Sequence, residues 1–402
     1  MARPKKAAEP TRKANALSVA RETLGKLFKD SSEFETNLDM DSLNQSIPHI
    51  PSGSMAIDYL IGGVPNSMGV APCPGIPRGK IMQLWGHEAA GKSTMALTVA
   101  ASVCHSGGSV VYVDWEHAVD PAYAAKLGVK VTDPNHFMLS QPNTMEDGFR
   151  VIWVAASAGV DLIVVDSVGA AVPEKIAERS LKEIADREQV GNVAMLWSNF
   201  LRKLQGRLSR TGTALIGISQ VRANINTYNS YGNNETVQGG NAWKFWSSVR
   251  MSLRRVKTEK ARVYSALSHK AEEQVIGGRI KAKLVKCKVA NTQGRECEFF
   301  IRQGEGIDDV MTALEIGIGH GFVKKGGSWF TWERPNEEPI KAQGLDKIRA
   351  MILEDNLLEE LYGQVRPYLT QERGETFAAD DGEEFIDPIA AELEDILSES
   401  GV

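Results

Sequence analysis

The chain has 402 residues, 42% of them apolar and 24% charged, with a formal net charge of −5, so one large buried core with smaller appendages is expected. No run of about 18 apolar residues occurs, which excludes a helical membrane span, and the basic start (Arg3, Lys5, Lys6, Arg12, Lys13) has no apolar signal core behind it. Cys73, Cys104, Cys287 and Cys297 lack C-x-x-C spacing and the histidines lack H-x-x-x-H pairing, which argues for reduced thiols in the cytoplasm rather than disulfides or a structural metal.

From the start, residues 1–13 read as a disordered arm and 14–29 as a short amphipathic helix, with Leu17, Ala20, Leu24 and Leu27 at helical spacing. So short a helix is marginal alone in water, so it packs on its own core or on a neighbouring subunit. Residues 36–46 are linker-like. Residues 62–79 hold four prolines and five glycines, a surface loop near enough to the next motif to be either a plain loop or a lid. Strand candidates follow at 81–85, 109–114, 136–140, 162–166, 214–219, 249–256, 279–288 and 297–302. Helices fit between the first five. Continuous apolar runs such as Leu162-Ile163-Val164-Val165 suit central parallel strands covered on both faces. The later strands alternate polar and apolar residues and read as an antiparallel extension. Beyond 306 come a helix at 308–318, a hairpin at 322–332 and helices at 345–353 and 357–365. From 371 to 402, eleven acidic residues face one Arg373, leaving the rest net positive; the tail either competes for a basic surface or only solubilises. The expected organisation is a basic arm and oligomerisation helix at 1–45, a large α/β core at 46–306, a small α+β domain at 307–370 and a disordered acidic tail at 371–402.

Gly86-His87-Glu88-Ala89-Ala90-Gly91-Lys92-Ser93, followed by Thr94, matches G-x-x-x-x-G-K-[ST] between a strand and a helix. Converging backbone N–H groups would cradle phosphates, Lys92 neutralise their charge and the Ser93 hydroxyl ligate Mg2+. The motif implies a nucleoside triphosphate, not its use. Asp166 ends an apolar strand in Walker B fashion and would project beside Lys92 and Ser93 to hold magnesium. Glu116, just past a second such strand, is either the general base for an attacking water or a helix-start acid before Asp120-Pro121. Gln220 ends the strand at 214–219 and could sense a γ-phosphate. Residues 221–240, with Arg222, Asn224, Asn226, Tyr228 and Tyr231, form a long Asn/Gly/Tyr-rich segment suited to nucleic acid or to a mobile lid. On strand 279–288, Lys281 and Lys283 share one face and Lys286 and Lys288 the other if it is unbroken, which suggests two different anions; a solvated edge is the alternative.

With these residues in view, the chain resembles the RecA family of DNA strand-exchange recombinases. The resemblance spans about 50–327 and rests on G-H-E-A-A-G-K-S, D-W-E-H-A-V-D-P-A-Y-A-A-K-L-G-V from Asp114, D-L-I-V-V-D-S-V, L-R-K-L from Leu201, Q-V-R, G-G-N-A-W-K-F from Gly239 and K-C-K from Lys286. It implies an α/β fold: a RecA-type ATPase core on a mostly parallel sheet, with a small N-terminal helical segment and a small α+β C-terminal domain. It implies ATP and Mg2+ as cofactors, single-stranded DNA and homologous duplex DNA as partners, and a helical filament of the chain with itself. Glu116 matches the catalytic glutamate, Asp120 and Tyr123 residues lying on adenine, and Gln220 the glutamine coupling γ-phosphate to DNA. Lys286 and Lys288 match a pair reaching the neighbouring subunit's ATP. The first DNA loop corresponds to 186–191, with Arg187, Val190 and Gly191; Arg202 falls in L-R-K-L. The second corresponds to 221–240, with Arg222, Asn224, Ile225, Tyr228, Tyr231, Gly239 and Gly240, closing at Asn241. Val190 and Ile225 are the candidates for wedging between bases. Lys244 and Phe245 fall at an interface motif; Arg254, Lys281 and Lys283 fall in a secondary DNA site. The chain departs from the pattern in its longer 62–79 loop, its slightly longer DNA loops, and Trp115 and Trp243 in place of smaller residues. Two further readings are a ring-forming DNA motor of the same fold, such as a helicase, and an ATP-gated binding protein in which Glu116 is idle.

Overall fold

A computed structural model describes residues 45–66, 69–177, 190–223, 235–265, 270–335 and 337–369. Strand β1 (His49–Ile50) leads to helix α1 (Met55–Asp58), which runs into a π-turn at 59–63, and β2 (Ile76–Pro77) returns to pair antiparallel with β1. An alternating section follows: β3 (Ile81–Gly86), α2 (Lys92–His105), β4 (Val110–Asp114), α3 (Pro121–Lys126), β5 (Phe137–Ser140), α4 (Met145–Ala158), β6 (Leu162–Asp166), α5 (Glu174–Ala177), α6 (Val190–Thr211) and β7 (Ala214–Ala223). Then come β8 (Glu235–Val237), α7 (Gly240–Trp246), β9 (Val249–Ser265), β10 (Lys270–Cys287), β11 (Glu296–Arg302) and β12 (Gly306–Ile307). The chain closes with α8 (Asp309–His320), the three-stranded sheet β13 (Val323–Gly326), β14 (Trp329–Trp332) and β15 (Ile340–Gln343), and helices α9 (Leu345–Glu354) and α10 (Leu358–Val365).

The main sheet runs β12-β11-β10-β9-β3-β7-β6-β4-β5, with β8 on the end of β7. Pairs from β9 across to β5 are parallel, whereas β9 to β12 are antiparallel. The apolar runs are central because both faces are buried. On β6, Leu162 and Val164 enter a core shared with α2, while Ile163 and Val165 enter a second core beneath α4, α6 and α7. Each such side chain, fully buried, is worth about 1.5–3 kcal/mol. The apolar interior of the C-terminal elements, including Trp332, Ile348 and Leu361, is continuous with the first of these cores.

Trp115 and Trp243 belong to the second core, where Trp197 sits edge-on to both, with ring centroids 5.9 and 5.0 Å away. Two glycines make room for them. A Cβ on Gly148 would lie 2.0 Å from Trp115, and one on Gly217 2.1 Å from Trp243. Gly217→Ala is therefore expected to cost about 1–3 kcal/mol by overpacking. The check is the thermal midpoint, which should fall and be partly restored by adding Trp243→Leu; an unchanged midpoint for the single variant would refute the packing argument.

The 62–79 segment does not cover the phosphate loop. Cys73 and Ile76 are buried, Cys73 N donates to Gly62 O, and Arg78 N donates to Pro48 O, so the segment lies against 46–62. None of its described residues lines the phosphate cavity.

Strands β9 and β10 are far longer than their apolar stretches announce, at 17 and 18 residues. β11 pairs only with 277–283, so the rungs from Lys270↔Ser265 to Val275↔Lys260 extend as a two-stranded ribbon. A Lys260–Glu273 pair sits on it, and its only alternating stretch, Lys260-Ala261-Arg262-Val263, is too short and too weakly apolar to announce a strand of this length. A register shift between Leu284 and Lys286 leaves Val285 unpaired. This bulge corrects the two-face arrangement expected of the lysines. Lys281, Lys283 and Lys286 stand opposite Arg254, Ser252 and Arg250, all on the face away from Met251 and Leu253, because an inserted residue shifts the alternation by one.

Candidate functional site

The phosphate loop leaves the sheet from β3, held between β7 and β9. A Cβ on Gly86 would lie 2.1 Å from Leu253 O, and Gly91 turns with φ 83° into α2. Both glycines are needed for the loop to fold this tightly against β9. The cavity above it, about 220 Å³, is lined by Glu88, Ala89, Gly91, Lys92, Ser93, Thr94, Glu116, Asp166, Ile218 and Gln220. Nine of the sequence candidates from four separate segments thus meet around one space.

Lys92 is 8% exposed and its Nζ donates to Gly86 O at 3.0 Å and His87 O at 2.7 Å. Burial holds its ammonium below the usual range, opposed by the nearby Asp166, Glu116 and Glu88 carboxylates. A buried ammonium satisfied only by loop carbonyls suits an incoming polyphosphate. Ser93 Oγ donates to Asp166 Oδ2 at 2.8 Å. Burial pushes the Asp166 carboxyl up, opposed by hydrogen bonds from Tyr112 and Ser93, while Glu116 and Asp114 push it further up. A hydroxyl and a carboxylate in contact, with two more acids nearby, form an oxygen donor set that fits Mg2+.

Glu116 is not a helix-start acid. The N-cap of α3 is Asp120, whose side chain accepts from Ala122 N at 2.8 Å ahead of Pro121. Glu116 instead sits on a turn clamped by buried Asp114, which accepts from Glu116 N and Val119 N at 3.1 Å each and from Gln141 Nε2 at 3.0 Å. Glu116 Oε1 accepts from Ser167 Oγ and, at 2.8 Å, from Gln220 Nε2. The contact of Ser167 with Glu116 carries no signal in the sequence; the clamp of Asp114 is equally silent, because its partners are two backbone N–H groups and the distant Gln141.

Gln220 does more than line the cavity. β7 continues past it, and Val221, Arg222 and Ala223 pair with Val237, Thr236 and Glu235 of β8. The 221–240 segment therefore rises on a hairpin stem whose root is Gln220, and Gln238 N closes that root on Gln220 O at 2.9 Å. Gly239 and Gly240, at φ 98° and 70°, turn the returning chain into α7. Asn224, Ile225, Asn226, Tyr228 and Tyr231 lie outside the described residues, as do Arg187, the arm and oligomerisation helix within 1–44, and the tail. Val190 and Gly191 open α6, and Arg202, further along it, is exposed, as is Asn241.

Thr94 and Tyr123 meet across a 3.3 Å hydroxyl contact and line a second cavity of about 360 Å³ with Arg255, Gln303 and Gly304. Asp120 lines neither cavity. Arg255, unnoticed beside Arg254 in the sequence, braces the phosphate loop by donating from Nε to Ala89 O at 3.1 Å. Consecutive strand residues face opposite ways, so only one of the two arginines can reach the loop.

Lys286 and Lys288 line neither cavity. Lys286 Nζ donates to the carbonyls of Lys244 and Phe245 at 2.8 and 3.1 Å, at the end of α7. Burial lowers its ammonium to about 8, helped by Lys288, Arg250 and Lys244. None of these four cations forms an ion pair with another described residue. Arg250, 8% exposed, has Gln83 Oε1 at 2.7 Å as its partner, and Gln83 Nε2 reaches Ser219 Oγ at 3.0 Å. Phe245 beside them is 60% exposed. Lys244, Lys286 and Lys288, without a carboxylate and next to an exposed phenylalanine, form a positive patch that an external anion would fit. By contrast Lys281 and Lys283 are already paired with Glu296 at 3.1 and 2.9 Å, and their hydrogen bonds hold its carboxyl below the usual range. Arg254 is exposed opposite Lys281.

Comparison with known proteins bears on the family. The RecA N-terminal domain family matches residues 15–308. The protein RecA of Nitratidesulfovibrio vulgaris is 36% identical over 344 residues, 85% of this chain and 86% of that one. That of Pseudarthrobacter chlorophenolicus is 38% identical over 328 residues, 81% and 84% of the two chains. That of Laribacter hongkongensis is 36% identical over 358 residues, 89% and 91%. Matched by the family model over most of its length and by relatives at 36–38% identity over more than four fifths of each chain, this chain belongs to the RecA family.

Proposed function

We propose that the protein is an ATP-dependent homologous recombinase, which assembles into a helical filament on single-stranded DNA and exchanges that strand with a homologous duplex. The observation that carries the reading is Gln220. Its side chain touches Glu116 in the phosphate cavity while its backbone holds the root of the 221–240 hairpin. A change at the γ-phosphate thereby has a short covalent route to the segment proposed to bind DNA. A ring-forming motor would use the same core and an equally head-to-tail interface; what favours the filament is the similarity to RecA proteins over more than four fifths of the chain.

In this reading residues 46–306 are the ATPase core, 307–370 a smaller appended unit, and the arm and helix of 1–45 mediate assembly. Ser93 and Asp166 would hold magnesium, whose charge would neutralise that of the phosphates. Lys92 leaves the carbonyls of Gly86 and His87 to meet the phosphates. Asp120 and Tyr123 flank the base. Glu116 accepts a proton from water, and Ser167 and Gln220 aim its Oε1. Lys286 and Lys288 complete the site of the next subunit. DNA contacts come from Arg187, Val190, Gly191 and Arg202 and from Arg222, Asn224, Ile225, Tyr228, Tyr231, Gly239, Gly240 and Asn241. A second strand is met by Arg254, and by Lys281 and Lys283 once the pairs of these two lysines with Glu296 open.

The test is ATP hydrolysis with and without single-stranded DNA, together with electron microscopy. Turnover should rise with DNA, binding should weaken steeply with salt, and open filaments should be seen. ATPase activity indifferent to DNA would sink the proposal, and closed hexamers alone would favour the ring motor.

A further inference from the structure

Tyr112 lies mid-strand on β4 with no exposed surface. Its hydroxyl donates to Asp166 Oδ2 at 2.7 Å, on the same oxygen that accepts from Ser93 Oγ. Among the described residues Asp166 Oδ1 accepts no hydrogen bond, although Asp166 lines the phosphate cavity. The ring's company is apolar: Val110 on its own face of β4 and Val164 opposite it in register both belong to the same core. A phenylalanine would fill that volume equally well. A phenol hydroxyl buried among aliphatic side chains is unfavourable unless it is paired, so the hydroxyl is explained by Asp166 alone.

We infer that Tyr112 is a positioning residue of the magnesium site: by holding Oδ2 from below, it fixes the carboxylate so that Oδ1 faces the metal and its water shell. The inference rests on the proposed role of Asp166. Ser93 is the other donor to Oδ2, and its oxygen is itself proposed to turn towards the metal. Tyr112 is then the donor with no second duty, and it reaches Oδ2 from a position with no exposed surface. Partners of this kind typically change metal affinity by about 10- to 100-fold when removed.

The experiment uses the full chain without DNA. Binding of a fluorescent N-methylanthraniloyl ATP analogue is titrated with Mg2+ in the parent, Tyr112→Phe, Asp166→Asn and the double variant. For Tyr112→Phe, half-saturating Mg2+ should rise about tenfold, with affinity for the analogue in EDTA and the far-ultraviolet circular dichroism unchanged. In the Asp166→Asn background, Tyr112→Phe should add nothing further. Superimposable Mg2+ titrations of parent and Tyr112→Phe would overturn the inference, as would an equal loss of affinity in EDTA, which marks a merely structural role. If Asp166→Asn itself leaves the Mg2+ dependence unchanged, the parent reading of Asp166 fails instead.

Discussion

Replacing Glu116 by Gln should lower DNA-stimulated ATP turnover by about 10²–10⁴-fold, the usual worth of a positioned general base, while DNA binding in the presence of ATP persists. The substitution suits this site because both contacts to Glu116 run towards it: Ser167 Oγ and Gln220 Nε2 donate to Oε1. A glutamine carbonyl can accept both, so the geometry at the root of the 221–240 hairpin is kept and only the capacity to take a proton is lost. Asp114 still clamps the turn through backbone N–H groups that the substitution does not alter. Steady-state hydrolysis and filter binding with single-stranded DNA check the two halves separately. Unchanged turnover would return the chain to an ATP-gated binding protein; simultaneous loss of turnover and DNA binding would mean that Glu116 supports the hairpin rather than the chemistry.

The residues carrying the site were readable wherever chemistry needs a fixed residue type at a fixed spacing. The phosphate loop and the acid after Leu162-Ile163-Val164-Val165 announce themselves because tight backbone curvature and a doubly covered strand each demand one pattern. The parallel half of the sheet follows from the same apolar runs. Less was readable where tertiary contact decides. Val285 looks like any strand valine, yet the bulge there moves Lys286 onto the face of Lys281. The outer half of the β9–β10 ribbon carries charged and polar residues with only scattered alanine, valine and tyrosine, so its strands were seen only at their apolar roots. Ser167 and Tyr112 act through partners far off in sequence, and no local pattern distinguishes them from other serines and core aromatics. Gly148 and Gly217 gain their meaning only from Trp115 and Trp243, which press on them from other elements.

The second large effect is expected at Lys286. If it and Lys288 serve the neighbouring subunit's triphosphate, Lys286→Ala should cut DNA-stimulated hydrolysis by about 10³-fold, the lower end of what a trans-acting arginine contributes, with nucleotide affinity of the isolated chain unchanged because Lys286 lines neither of its own cavities. Mixing decides whether the action is in trans. Lys286→Ala subunits keep Lys92 but lack the outer cation, and Lys92→Ala subunits keep the outer cation but lack the inner one. Each is inactive alone, yet wherever they adjoin in the right order one complete site forms, so the mixture should regain part of the activity. No regain would place Lys286 in a cis or purely structural role. Acidity gives an independent check. The ammonium of Lys286 is lowered from 10.5 to about 8, chiefly by burial and further by Lys288, Arg250 and Lys244. Its charge is therefore present below that pH and lost as pH rises through it, so assembly-dependent hydrolysis should decline on the alkaline side. An approaching phosphate raises that value and moves the decline upward, but it cannot remove it. Lys286→Arg, whose guanidinium stays charged throughout, should retain activity where the parent chain has lost it. An alkaline limb identical in both proteins would show that another group sets it.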